Sequence, residues 1–435
     1  MIENNTNFLE DFFEKLHIHK IRYCVLRNYE KLPYSTNGSD LDIMIFDEST
    51  HLFNKGIFQF INNNNLDIVS FIKDKQCPKF CISNNNWGVQ IDAFKRGVYF
   101  GNREVIPSSV IKLNTVNYNG VMVLNSKVGA LLAFLKELLN NKVSHTKYIK
   151  DLHYHFKENP IEDQLLSQFT PQFTNYLNDN LHQLDDKHCL ELYKLSNVSF
   201  KRSKFIGIGN KVSRFFNNPG FTIAFLGTDG SGKSTIIEAI TPALNEAFHN
   251  AVYYEHMRPN KYPSIAKLMG NKEDFNGPVS KPHGSSTSGF LGSLFRWSYY
   301  MLDYTFGFYL KIWPKKAIRS CVWIFDRYYY DYIIDPKRAR IKLPHWILKL
   351  GQILIPEPDL ILCLGTDAKA IHKRKPELAL EEVERQVNTL NKFCESHNRA
   401  VWIDTGKNID TSASDAMDAI INMMAKRFEE LNLSK

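Results

Sequence analysis

The stretch Phe221-Thr222-Ile223-Ala224-Phe225-Leu226, running into Gly227-Thr228-Asp229-Gly230-Ser231-Gly232-Lys233-Ser234-Thr235, decides how the second half of the chain is read. An apolar run predicts a buried strand. The glycine-rich turn that ends it opens a helix, which is the setting the phosphate-binding pattern G-x-x-x-x-G-K-[ST] requires. Glycines let backbone amides turn inward around an anion with no Cβ in the way. Gly227, Gly230, Ser231, Gly232, Lys233, Ser234 and Thr235 are therefore the candidate ATP-binding residues. Lys233 is placed to reach the β- and γ-phosphates and Ser234 to ligate Mg²⁺, and the helix adds its positive N-terminal end.

Working outward, the run Cys321-Val322-Trp323-Ile324-Phe325-Asp326-Arg327-Tyr328 ends a second buried strand in a carboxylate. Asp326 can face the Mg²⁺ shell opposite Ser234, and Arg327 is then positioned to meet an acceptor phosphate by paired hydrogen bonds. Further strands are predicted at 251–256, 359–364 and 400–404, the last followed by the turn Thr405-Gly406, which would border an adenine. Arg258 follows the strand 251–256 and joins Arg327 as an acceptor-side candidate. The cations His372, Lys373, Arg374 and Lys375 beside a hinge suit a phosphoryl-transfer lid, because they can neutralise charge on the transferred group. Residues 276–289 are rich in Gly, Ser and Pro and read as a loop.

In this order the motifs resemble the thymidylate kinase family over residues 220–430. The resemblance rests on the D-G-x-G-K-S-T loop, Asp326-Arg327-Tyr328, Pro358-Asp359-Leu360, the basic lid around Arg374 and the closing strand. It implies that Lys233 and Arg374 stabilise the transferring phosphoryl group, that Ser234 and Asp326 organise Mg²⁺, that Arg327 holds the acceptor phosphate, and that Asp229 lies near the acceptor's hydroxyls. The departures are on the acceptor side. The family's Asp-Arg helix segment is here Asp303-Tyr304, Tyr330-Asp331-Tyr332 replaces its Ser and Gln, and Asp335-Pro336-Lys337-Arg338 has no counterpart.

The first half carries a different pattern. In Gly38-Ser39-Asp40-Leu41-Asp42-Ile43-Met44 two carboxylates alternate with apolar residues on a strand, so Asp40 and Asp42 point to the same side. Asp92 lies on the later strand from Trp87 to Phe94. Three carboxylates converging from adjacent strands would make an oxygen-rich metal site. This resembles the nucleotidyltransferase superfamily over about residues 18–125, which implies that Asp40 and Asp42 hold metal and that Asp92 completes the metal site or acts as base. The family's Gly-Ser pair ahead of the D-x-D corresponds here to Arg27-Asn28. The alternative is that Asp40 and Asp42 are solubilising acids at a strand end and Asp92 is coincidental.

At 435 residues the chain exceeds one ordinary core. The expected fold class is α/β, with four segments: a nucleotidyltransferase-like α+β domain at 1–125, a helical extension at 126–200, a basic linker at 201–219, and a P-loop kinase domain with a mostly parallel sheet at 220–435. Lys147, Lys150 and Asp151 are read as a solvated helix face, and the Phe205, Ile208, Val212 and Phe215 spacing as a linker helix, with a membrane-surface helix as its alternative. A formal charge of +8 favours anionic partners. No nucleic-acid motif accompanies it.

Seven scattered cysteines suit reduced thiols in a cytoplasm better than a disulfide framework. No second pair completes a zinc site with Cys77 and Cys81. Charges and prolines interrupt the apolar stretches 290–313 and 343–364, so neither is expected to span a membrane, and the N-terminus lacks the pattern of a secretory signal.

The expected activity is Mg²⁺- and ATP-dependent phosphoryl transfer to a nucleoside monophosphate or similar phosphorylated acceptor. Two alternatives remain open at this point: a kinase of a sugar, polyol or glycan end, and an NTP-binding switch or defence module acting on nucleic acid or protein.

Overall fold

The computed structural model describes residues 3–74, 76–100, 103–142, 146–199, 218–263, 265, 289–338 and 340–429. Most of the linker read at 201–219, and the loop read at 276–289 apart from Gly289, lie outside them. The chain divides into two compact units, one of residues 1–82, 89–214 and 430–435, the other of 83–88 and 215–429.

The first unit has nine strands: β1 (Tyr23–Val25), β2 (Leu41–Ile45), β3 (Asp67–Ile72), β4 (Lys79–Ser83), β5 (Gly88–Lys95), β6 (Gly97–Phe100), β7 (Arg103–Pro107), β8 (Thr115–Tyr118) and β9 (Val121–Leu124). Seven of them form a mixed sheet in the order β3-β4-β5-β2-β1-β9-β8, and β6 and β7 form a separate pair. β2 and β5 run parallel with Asp42 opposite Asp92, so the carboxylates read from the D-x-D and from the later strand stand on neighbouring strands. The helix Glu3–Ile18 supplies Leu9, Phe12, Phe13 and Leu16 to the core, with the Phe12 ring edge-on to Phe60 of the helix Thr50–Asn63 at 5.3 Å.

The described residues between 126 and 199 hold the helices Ser126–Asn141, Thr146–Phe156, Pro171–Asn180 and Asp186–Ser199. Asn125 caps the helix Ser126–Asn141 by accepting from Val128 N, and Thr170 with Pro171 starts the helix Pro171–Asn180. Their buried faces share one core with the sheet, from Cys24 and Met44 through Leu131 and Phe156 to Phe173 and Leu192. Lys147, Lys150 and Asp151 are exposed.

The second unit is built on five parallel strands: β10 (Phe221–Leu226), β11 (Val252–His256), β12 (Val322–Asp326), β13 (Leu360–Gly365) and β14 (Ala400–Asp404). Their order is β11-β12-β10-β13-β14. All six residues of β10 are buried, because a central strand of a parallel sheet is covered on both faces and so reads as an unbroken apolar run. The chain lays β11 and β12 on one side of β10 and then crosses to lay β13 and β14 on the other, so the strand order switches at β10, and it is at the carboxyl ends of such strands that open parallel sheets bind ligands.

At the other end of the same sheet, Asp359 accepts from Thr222 N at 2.7 Å and pairs with Lys316 at 2.7 Å and Arg427 at 2.6 Å. The Pro-Asp-Leu element therefore ties strand ends together and lies away from the P-loop. The helix Phe290–Leu302 continues as a π-helical segment, Asp303–Ile312. Here a Cβ on Gly307 would collide with the Asp303 carboxylate. Tyr304, Tyr328, Tyr329, Tyr330 and Tyr332 are all buried in the core beneath β12. Among the described residues no helix is long and apolar enough to cross a membrane.

Candidate functional site

The turn after β10 leads into the helix Lys233–Ala247 through Gly230 and Gly232, at φ of 84° and 88°. Such left-handed backbone favours glycine. Gly227 is constrained differently: a Cβ there would lie 2.7 Å from the Leu364 carbonyl oxygen of β13. Lys233 reaches back over the turn, its Nζ donating to Gly227 O at 2.8 Å and Thr228 O at 3.0 Å. Thr228 Oγ1, Ser231 Oγ and Thr405 Oγ1 are buried with no hydrogen-bond partner in the protein. Buried hydroxyls without partners are costly, and a phosphate-bearing ligand would supply the acceptors they lack.

Burial brings the Lys233 ammonium down from 10.5 to about 8, assisted by Arg327 and opposed by Asp326 and Asp229. Between those two values the unfolded chain holds a proton that the ligand-free fold does not, so ligand-free stability rises with pH across that window. A bound triphosphate favours the charged form. ATP affinity is therefore expected to fall as pH rises through about 8, with Kd at pH 9 about tenfold above that at pH 7; calorimetry at the two values tests this, and a flat Kd would contradict it.

Register places Asp326, at the end of β12, opposite Phe225 on one side and His256 on the other. Its Oδ2 accepts from Tyr254 OH at 2.9 Å and lies 3.7 Å from His256 Nδ1, whereas its Oδ1 is buried without a partner. Burial would raise this carboxyl, but His256, Lys233 and Arg327 outweigh it and hold the group well below the usual range. A carboxylate held in its charged form with one oxygen lacking a protein partner, and Ser234 exposed on the first turn of the helix, fit a hydrated divalent cation.

Arg327 adopts a φ of 71°, an uncommon backbone state for a non-glycine residue that collects at functional sites. Its amide donates to Phe225 O at 2.9 Å. The side chain lies beside the P-loop, bonded to Gly227 O at 3.3 Å, to Asp331 and to Asp229. Arg338 grips the other oxygen of Asp229. Burial pushes the Asp229 carboxyl up, but Arg327, Arg338 and Lys233 together hold it well below the carboxylate range. Both Asp229 oxygens are thus engaged by guanidinium groups.

Arg258 is buried, with Nη1 2.8 Å from Asp303 Oδ2 and its guanidinium 4.6 Å above the Tyr300 ring. Asp303, fully buried, also accepts from the backbone amides of Asn260, Lys261 and Tyr262 at 3.0–3.2 Å. Tyr304 OH donates to Met257 O at 2.6 Å. Asp303 and Tyr304 therefore fix the 257–262 loop from below. The Tyr330 ring packs on Phe393, and Asp331 orients Arg327.

The basic residues His372, Lys373 and Arg374 lie at the C-terminal end of the helix Ala368–Arg374. A Cβ on Gly230 would meet Lys375 Cβ at 2.9 Å, which places this basic end directly against the phosphate loop. Arg374 Nη2 donates to Thr405 O at 2.9 Å.

In the first unit Asp40, Asp42 and Asp92 are buried and offer carboxylate oxygens all within 4.8 Å of one another. Arg27 Nε bonds Asp42, its Nη2 lies 3.1 Å from Asp40 Oδ1, and Lys79 pairs with Asp92. Burial and the neighbouring Asp40 push the Asp42 carboxyl up to about 6 against the pull of Arg27. Sequence reasoning missed Lys79 and Gln90, which reach Asp92 from β4 and from within β5, and also Tyr254, His256 and Asp331. Of these, only Asp331 carried a signal, its i,i+4 spacing from Arg327.

No family model matches the chain, and no curated protein does. Among solved structures it is similar to the thymidylate kinase of Ehrlichia chaffeensis at 16% identity and a TM-score of 0.32, over 46% of this chain and 97% of that one. It is also similar to the thymidylate kinase of Candida albicans at 20% identity and a TM-score of 0.32, over 46% of this chain and 90% of that one.

Proposed function

We propose that the unit containing residues 218–429 is a Mg²⁺- and ATP-dependent phosphotransferase acting on a phosphorylated acceptor of the nucleoside monophosphate kind. One observation carries the reading: at the carboxyl end of a parallel sheet, a phosphate loop with its lysine faces a partnerless Asp326 oxygen and two guanidinium groups, Arg327 and Arg338. Ser234 and Asp326 would hold Mg²⁺, which neutralises phosphate charge when bound. The loop amides and Lys233 bind and orient the β- and γ-phosphates, and Arg374, on leaving Thr405 O, can reach the transferring group.

Two arginines favour an acceptor that bears a phosphate, because a guanidinium fork matches phosphate oxygens in pairs. The same two residues are paired with Asp229, and Arg327 also with Asp331, so an acceptor phosphate competes with these carboxylates for the guanidinium groups.

The test is transfer of label from γ-labelled ATP to a panel of nucleoside monophosphates, sugar phosphates and free sugars. Label on a monophosphate is the expected result. Transfer only to unphosphorylated sugars would overturn the acceptor class, and hydrolysis without any transfer would favour an NTP-dependent switch.

A further inference from the structure

We propose that the Asp40, Asp42 and Asp92 cluster is compensated from within, Arg27 and Lys79 taking the places of divalent cations, so that the first unit does not carry out metal-dependent nucleotidyl transfer. The inference is independent of the kinase reading, since every residue in it belongs to the other unit.

Geometry makes the case. A metal shared by Asp40 and Asp42 would need the space between their carboxylates. The Arg27 guanidinium fills that space, bonding Asp42 through Nε and Asp40 through Nη2. Such a planar fork matches two carboxylates better than a flexible ammonium does. Asp92 is engaged on both oxygens, Oδ2 by Lys79 and Oδ1 by Gln90 Nε2 at 2.9 Å.

Lys136, from the helix Ser126–Asn141, lies within electrostatic reach of Asp40 and Asp42. Three carboxylates therefore face three cations. The excess negative charge that draws in a hard, reluctantly dehydrated ion such as Mg²⁺ is cancelled, and removing any one partner would leave a buried charge exposed to its neighbours.

In the nucleotidyltransferase resemblance Arg27 stands where the pattern has a glycine, and its side chain is the one that reaches Asp40 and Asp42.

Mn²⁺ binding to the full chain, followed by the loss of free-ion paramagnetic resonance signal, tests this in wild type, Asp42→Asn and the double variant Arg27→Gly/Lys79→Ala. Wild type is expected to show no Asp42-dependent site at about 1 mM Mn²⁺, and the double variant to gain one at least about tenfold tighter. An Asp42-dependent wild-type Kd below about 0.1 mM, or transfer from α-labelled NTP that disappears in Asp42→Asn, overturns the proposal. A folded double variant that gains no site also overturns it, because the two cations would then not be what excludes the metal. Should the double variant fail to fold, Arg27→Gln, which clears the guanidinium from between Asp40 and Asp42, and the wild-type arm decide between the same outcomes.

Discussion

Lys233→Ala is expected to lower ATP-dependent phosphoryl transfer by about 10²–10³-fold in kcat, the range typical for removing one preorganised electrostatic contact to a developing charge. The ammonium is the group best placed for that role: it is anchored over the loop by the carbonyls of Gly227 and Thr228 and is 7% exposed. Little reorganisation is needed when a triphosphate arrives. The substitution also removes a buried cation that the ligand-free fold tolerates poorly, so the variant is expected to melt no lower than wild type without nucleotide and to lose most of the stabilisation that ATP gives. Rate and melting temperature thus move in different directions, which separates a lost contact from a damaged fold. Transfer at the wild-type rate would refute the assignment of this loop as the donor site.

Asp303→Ala is expected to cost about 3–5 kcal/mol of stability in the second unit, as breaking a buried ion pair from one side does. Asp303 has no solvent exposure, and its two oxygens take the Arg258 guanidinium and three backbone amides. Alanine would leave a buried arginine and those donors without partners, whereas Asp303→Asn keeps one acceptor and should cost less. Urea unfolding followed by tryptophan emission reads the effect where it occurs, because Trp297, Trp313, Trp323, Trp346 and Trp402 lie in this unit. If Asp303→Ala changed stability by less than about 1 kcal/mol, the loop 257–262 would have to be held by something else. Adding Arg258→Ala should recover part of the loss, since the stranded charge is removed with it.

The glycine-rich turn that opens a helix after β10, the strands of the parallel sheet and the carboxylate ending β12 could be read from the chain because each is a local pattern: an apolar run, glycines at fixed spacing, an acid at a strand end. Alternation on a strand put Asp40 and Asp42 on one side, but that β5 lies parallel beside β2 with Asp92 opposite Asp42 is a long-range pairing. What stayed hidden depends on long-range contacts or on backbone conformation. Nothing local says that Arg327 turns through a left-handed φ to lie beside Gly227, or that Arg338 comes back to Asp229 across more than a hundred residues of chain. Asp303 is similar. In the structure it is spent on the Arg258 side chain and the 260–262 backbone. Lys79 follows a proline in an unremarkable run and gains meaning only once β4 is laid beside β5.

The tyrosines under β12 bear on how this protein can change over evolutionary time. Tyr304, Tyr328 and Tyr329 each donate their hydroxyl to a backbone carbonyl, of Met257, Pro356 and Leu348. Trading any of them for phenylalanine strands a carbonyl and opens no room for a new acceptor. Sequence drift is therefore channelled away from this aromatic run, as it is from the buried Asp303–Arg258 pair that holds the 257–262 loop, and is left to more exposed positions such as Lys337.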